Sequence, residues 1–270
     1  MTDGIPMYEP DFTLDEPWPL PEREQCYFYT CMDIADGETV ENVNWDIRGR
    51  FETYIGGVDL AGKSVLDVGT ASGFLAFSAE AAGAAKVTAV DALHAQEFNR
   101  IPFKGSPYTE RRRKWIADTD KYLTGLKRSF WYAWHKKKSA VDVLYMPAGE
   151  LWKWRERFDV VIAGAIVEHI SDPVPFIHML ARLANETVII AFTPVIDSDE
   201  QFMRTMNGWD QAQHNYSWWE LSLGLYRRIF ANLGFAIELV PAQALCNEYD
   251  PPLLIERPTI IARRVADPAA

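Results

Sequence analysis

Apolar and polar residues change period repeatedly along this chain. SVLDVG at 64–69 is a β-branched run closed by a glycine. FLAFSAEAAGA, at 74–84, has helical spacing and ends around Gly83, and KVTAVDA reads as a second short strand. After an interruption over 95–140, VDVLYM and FDVVIAGA predict strands. SDPVPFIHMLARLA predicts a helix with Ser171 as N-cap and Pro173 in its first turn, and ETVIIAFTP predicts a further strand. WWELSLGLYRRIFANLGF predicts a helix stopped at Gly234, and FAIELV and PTIIARR predict two closing strands. Strands alternating with helices imply an α/β fold, a mostly parallel, doubly wound sheet with helices on both faces.

The same pass divides the chain into an N-terminal arm (1–60) and a core (61–265). The core carries a helical insertion (95–140), whose half TDKYLTGLKRSFWYAWHKKK reads as a helix, and a polar, tryptophan-bearing lid (196–216). Charge sharpens the division. Residues 1–45 hold eleven acids against Arg23 alone, whereas 95–138 hold twelve Lys/Arg against four acids, inside a chain of net charge −11. Overall acidity disfavours broad nucleic-acid binding. The runs Arg111–Lys114 and Lys136–Lys138 could hold phosphate or RNA, but pairing with the chain's own acidic arm is the favoured reading. Three cysteines without a CxxC, no leader-like start and no apolar run near ~20 residues imply a reduced, cytoplasmic protein with neither structural zinc nor a membrane span.

The strongest chemical signal is Asp67-Val68-Gly69-Thr70-Ala71-Ser72-Gly73, between the first core strand and its helix. Ligands of open α/β sheets sit beyond the carboxyl ends of the strands. Gly69 lets a ligand lie against bare backbone, and Gly73 lets the helix start close to the sheet. Asp91 ends the next strand, where a carboxylate can accept both hydroxyls of a ribose. The pyrophosphate spacing G-x-G-x-x-G is absent, which disfavours a nicotinamide cofactor and suits an adenosyl ligand without a pyrophosphate.

VLDVGTASGFLAF followed by VTAVDA resembles motif I and the acidic loop of class I S-adenosylmethionine-dependent methyltransferases. The resemblance implies a Rossmann-like, seven-stranded sheet whose last strand is antiparallel, with S-adenosyl-L-methionine as cofactor. It implies that Asp67, Gly69, Thr70 and Gly73 line the methionine and sugar part and that Asp91 holds the ribose. WDIRGRFETYIGGVDLAGKSVLDVGTASG, EHISDP and YSWWELS are similar to a subgroup that includes tRNA wobble-uridine carboxymethyltransferases and enzymes acting on glycans and small metabolites. Where many members carry an acid for the adenine amino group, this chain has Met146-Pro147-Ala148, leaving carbonyls and the Ala148 amide. Arg48 could pair with the methionine carboxylate or an anionic substrate, or form a structural salt bridge.

FDVVIAGAIVEHISDP places Ala163 and Gly164 at a strand's carboxyl end and Glu168-His169 just beyond it. Small residues allow close approach, and a hydroxyl acceptor needs a base, for which histidine is the side chain that titrates nearest neutrality. His169 is the first candidate and Glu168 its orienter or alternative; equally, His169 caps or packs the following helix. His94, His135, His178 and His214 are weaker candidates. A lone Glu-His pair, with Ala165 three residues before Glu168, is too thin a ligand set for a metal. Tyr29, Trp45, Trp134 and Trp218 are the aromatic candidates for a planar or sugar substrate, although core packing is the commoner fate of such residues. The expected reaction is methyl transfer to an oxygen, less readily a nitrogen, of a small metabolite or sugar-containing compound. The alternative is modification of a tRNA wobble base.

Overall fold

The computed structural model describes residues 14–265 except Asp36, Asn99, Pro102, Phe103, Pro147 and 207–216. The arm supplies a hairpin of β1 (Met32–Ala35) and β2 (Glu38–Val40), the two-residue β3 (Trp45–Asp46) and the single turn α1 (Phe51–Tyr54). The core opens with β4 (Ser64–Val68), α2 (Phe74–Ala81), β5 (Lys86–Ala92), the short α3 (Pro107–Glu110), the long α4 (Arg112–Lys137) and β6 (Asp142–Met146). It continues with β7 (Phe158–Gly164), α5 (Pro173–Leu183), β8 (Ala184–Ala191), β9 (Val195–Ile196), β10 (Met203–Thr205) and β11 (Trp219–Ser222). Then come α6 (Leu223–Asn232), β12 (Phe235–Cys246) and β13 (Leu253–Arg264).

The main sheet has the order β3-β12-β13-β8-β7-β4-β5-β6. Strands β8, β7, β4, β5 and β6 are parallel, and β13 is antiparallel to both of its neighbours. Seven full strands with the last antiparallel is the Rossmann-like methyltransferase arrangement that the sequence resemblance implies, and β3 adds a short eighth from the arm. The period-two alternation is visible in the core. Val65, Val160, Ile162 and Ile189 pack with the α2 and α4 face, while Leu66, Val161, Val188 and Ile190 pack with α5 and α6. The arm covers the β6 edge: the Asp15 amide donates to Val143 at 2.9 Å, and Tyr145 donates back to its carboxylate at 2.7 Å. Both edges of the sheet are thus closed by the arm, because β3 pairs with β12 at the other.

Three local expectations shift. The segment 95–140 is expected as a helical insertion, but the C-terminal half of α4 is the crossover helix joining parallel neighbours β5 and β6, a connection that such strands require. Phe130, Trp131 and Ala133 are fully buried there, and Gly125 has no side chain because a Cβ would lie 2.8 Å from Tyr27. The helix expected from Trp218 starts only at Leu223. Trp219–Ser222 pairs with β9 and β10, and the Ser222 hydroxyl caps α6 by accepting from Leu225 N at 3.2 Å. The cap of α5 is Asp172, with Pro173 at the first helical position, where its missing N–H costs nothing; the Ser171 hydroxyl binds Asp172 instead.

The lysine run reaches the arm. Lys136 Nζ lies 3.9 Å from Glu38, the Lys137 ammonium donates to the Asp33 carbonyl, and the Tyr132 hydroxyl donates to Glu38 at 2.6 Å. Among the described residues no helix is long and apolar enough to cross a membrane.

Candidate active site

The loop after β4 is pinned to β5 by three backbone amides, and a fourth, within β5, orients the Asp91 carboxylate. Gly69 and Thr70 donate to the Val90 carbonyl at 2.8 and 3.1 Å, and Ala71 and Ala92 each donate to Asp91, at 2.6 Å. Gly69 takes φ +84° and Gly73 φ +92°. A Cβ on Gly69 would meet Ile166 at 2.5 Å, and one on Gly73 would sit 2.4 Å from Phe77 and 2.8 Å from Phe130. The loop therefore stays a bare backbone cradle. Asp91 is half-buried and spends one acceptor position of each oxygen on an amide, leaving others for two ribose hydroxyls. The donor set fits the adenosyl group that the sequence implies.

Asp67 lies beneath this loop, fully buried, and among the described residues neither carboxylate oxygen has a formed hydrogen bond. Desolvation pushes its pKa up to about 7, tempered by the nearby Thr70 hydroxyl and Ala76 amide and reinforced by Asp91. The fold thus prefers the protonated acid. Its contribution to stability is present at acid pH and is lost as pH rises from the ordinary carboxylate value towards about 7. Asp67→Asn should therefore gain stability over the wild type progressively between about pH 4 and about pH 7 and level off above that, by on the order of 1 kcal/mol or more. Thermal melts of both proteins across that range test this, and parallel curves would remove the assignment.

Strain marks the neighbouring strand ends. Three non-glycine residues with positive φ, Ala71 (+50°), Ala165 (+45°) and Phe192 (+53°), follow the cofactor-side ends of β4, β7 and β8, which are adjacent in the sheet. Such conformations persist where surrounding structure over-determines them, often at functional sites. Ala163 is fully buried at the end of β7, and a Cβ on Gly164 would strike Leu75 at 2.5 Å.

Just beyond, Glu168 is 2% exposed. Its Oε1 accepts from Arg257 Nη1 at 3.2 Å, while Oε2 has no partner among the described residues. Arg257 stands 5.4 Å over the Phe192 ring, which stacks on Tyr54 at 5.5 Å and meets Trp45 edge-on at 5.7 Å. The Trp45 indole donates to the Tyr29 hydroxyl at 3.0 Å, and the Tyr29 amide donates to Ser72 of the cofactor loop at 3.4 Å. Burial raises the pKa of Tyr29 and Tyr54, and the Glu168 charge adds to both effects. His169 is half-buried, with Nδ1 3.5 Å from the Ser217 hydroxyl.

The structure thus gathers Asp67, Gly69, Thr70, Gly73, Asp91, Ala163, Glu168, His169, Tyr29 and Trp45 at one end of the sheet. It places Arg48 and Trp134 elsewhere. Arg48 lies in an acidic cluster, 2.6 Å from Asp46, 3.2 Å from Asp33 and 3.3 Å from Glu41, so its charge is matched within the arm. Trp134 packs on Trp131 and donates to the Val141 carbonyl, near the amino ends of the strands, about 16 Å along α4 from Leu123, which packs against Ala92 and Ala95. Trp218 is buried and clamps the Glu-His backbone, its amide donating to the Glu168 carbonyl at 2.6 Å and its indole to that of His169 at 3.1 Å. Ala148 opens a 3-10 helix, Ala148–Lys153, after β6. His178 is exposed on α5, His135 meets the Trp18 carbonyl at 2.7 Å, and His94 is exposed 4.0 Å from Asp120. His214 and the middle of the expected lid lie outside the described residues. The sequence reading misses Arg257, Tyr54 and Phe192.

A family model described as a methyltransferase domain matches residues 47–240. No curated protein matches the chain. Among solved structures, the chain is similar to magnesium protoporphyrin IX methyltransferase from Synechocystis, crystallised with S-adenosylhomocysteine, at 17% identity and TM-score 0.47, covering 77% of this chain and 76% of that one. It is also similar to a Listeria monocytogenes protein described as an S-adenosylmethionine-dependent methyltransferase, at 17% identity and TM-score 0.46, covering 80% and 96%.

Proposed function

The chain belongs to the methyltransferase-domain family and is an S-adenosylmethionine-dependent methyltransferase, and from that premise we propose that its acceptor is an oxygen, less readily a nitrogen, of a small or sugar-containing metabolite. S-adenosylmethionine supplies a methyl group activated by its sulfonium. In this reading Asp91 holds the ribose hydroxyls, and the Gly69–Gly73 backbone cradles the sugar and methionine part. Displacement at a sulfonium methyl is in-line, so alignment supplies most of the acceleration. The acceptor hydroxyl still has to lose its proton as oxygen attacks carbon and the carbon–sulfur bond breaks.

The observation that carries this reading is the buried Glu168, with one oxygen held by Arg257 and the other unpartnered among the described residues, beside the small-residue end of β7. It suits the role of proton acceptor, and its charge acts on Tyr29 and Tyr54, whereas His169 contacts Ser217. Parallel calorimetric titration with S-adenosylmethionine, S-adenosylhomocysteine and NAD tests the cofactor. Micromolar binding of the two adenosyl compounds and none of NAD is expected; binding of NAD alone would overturn the reading.

Modification of tRNA is the second reading, favoured by the exposure of Arg111, Arg112 and Arg113. It predicts RNA affinity that falls steeply with salt, by about 0.9 decades per decade of salt for each phosphate neutralised on a duplex. Small-metabolite turnover should change far less over the same range.

A further inference from the structure

A cavity of about 370 Å³ opens on the arm, outside the cluster around Glu168, and is lined in part by Arg23, Tyr27, Asn42, Asn44, Asn247 and Glu248. We propose that this cavity is a subsite for a neutral, hydroxyl-rich sugar, the glycosyl part of the methyl acceptor. The proposal rests on the metabolite reading above and narrows it.

The lining has the chemistry that sugars require. Amide and carboxylate groups can donate to and accept from neighbouring hydroxyls at once, and an aromatic face can cover the apolar side of a pyranose. Here Asn42, Asn44 and Asn247 stand with Glu248, and Tyr27, 41% exposed, presents its ring. These groups are already ordered. Asn44 Nδ2 donates to Glu248 Oε1 at 2.5 Å, the Tyr27 hydroxyl donates to Asn44 Oδ1 at 3.3 Å, and Asn247 Nδ2 donates to the Val43 carbonyl at 2.7 Å. That network fixes the side chains and leaves Asn247 Oδ1, the second Glu248 oxygen and hydroxyl lone pairs as acceptors. Prior ordering lowers the entropy cost of binding.

Position ties the cavity to the reaction. Asn44 precedes Trp45, whose indole donates to Tyr29, and the Tyr29 amide donates to Ser72 in the cofactor loop. Asn247 follows β12, and its amide donates to the Asn44 carbonyl at 2.9 Å, so both walls are bonded to each other. Charge selects the class. Arg23 and Glu248 bring opposite signs to the lining, and the arm around them is strongly acidic, which repels a polyanion and leaves a neutral ligand unaffected. RNA therefore does not fit this cavity.

The test is direct binding, independent of turnover. Saturation-transfer NMR on the full chain, with S-adenosylhomocysteine present, would screen methyl glycosides of common hexoses and 6-deoxyhexoses, with uridine and a short single-stranded RNA as competitors. A monosaccharide has few heavy atoms, so dissociation constants around ~1 mM are expected for the matching glycoside. Glu248→Ala and Tyr27→Ala, both at exposed positions, should each weaken that binding at least several-fold while leaving S-adenosylhomocysteine affinity unchanged. No glycoside signal up to tens of millimolar, or a signal that both variants retain in full, would overturn the subsite. So would uridine or RNA binding that displaces the glycoside. Loss of S-adenosylhomocysteine binding by the wild type would instead strike the methyltransferase reading, which keeps the two failures apart.

Discussion

Asp91→Ala is expected to weaken S-adenosylhomocysteine binding at least tenfold and towards a hundredfold. Two effects of one carboxylate combine. As the proposed ribose ligand it accepts both hydroxyls, and hydrogen bonds to a charged group contribute about 1.5–3 kcal/mol each. It also accepts the Ala71 amide at 2.6 Å, which holds Ala71 at φ +50° and fixes the loop that cradles the ligand, while the Ala92 amide orients the carboxylate from within β5. Asp91→Asn separates the effects, because its one oxygen can keep a single amide and its NH₂ group can only donate. It should fall between wild type and Asp91→Ala. Burial raises the Asp91 pKa, opposed by the two amides and by Lys127. Affinity in the wild type should therefore decline on acidification at a higher pH than an ordinary aspartate would give, and the alanine variant should lose that dependence. Calorimetry at several pH values reads all three. An unchanged dissociation constant for Asp91→Ala would remove the ribose assignment.

The order of the core elements and the cofactor loop were legible because their signals are local. A β-branched run, two glycines at a fixed spacing and a strand-terminal acid lie within thirty residues of one another, and each constrains its own backbone. What the sequence did not reveal depends on pairings distant in the chain. Arg257 precedes Pro258, and a proline reads as a strand boundary. Yet β12 and β13 form a twelve-residue ladder in which Pro258 faces Pro241, so the strand runs through it and delivers Arg257 to Glu168. Trp218 reads as either a substrate aromatic or a core residue, but its two N–H groups find the carbonyls of residues 168 and 169, and this contact holds the start of β11 extended against its helical pattern. For the lysines of α4 charge favoured the acidic arm as partner, but not which residues of its hairpin Lys136 and Lys137 would meet. In each case a polar group found its partner far along the chain, and pattern alone carries no register for such partners.

The largest kinetic effect is expected at Glu168. Glu168→Gln keeps the volume and the capacity to accept from Arg257 but removes the proton acceptor. Turnover should fall by about 10²–10⁴, the usual contribution of a positioned base, with S-adenosylhomocysteine affinity near normal. His169→Ala, whose side chain meets the Ser217 hydroxyl, should cost less than about tenfold; the reverse ranking would return the role of base to His169. Arg257 supplies the finer discrimination. Among the described residues Arg257, from β13, is the ion-pair partner of Glu168. In Arg257→Gln the buried carboxylate loses its ion-pair partner and the group that orients it, so turnover should fall several-fold or more, and Arg257→Lys should restore part of it. A purely structural role for Arg257 would lower the melting temperature together with activity, with no rescue by lysine. Unchanged turnover in Arg257→Gln, alongside a collapsed rate in Glu168→Gln, would place the proton acceptor at Glu168 but deny Arg257 any part in positioning it.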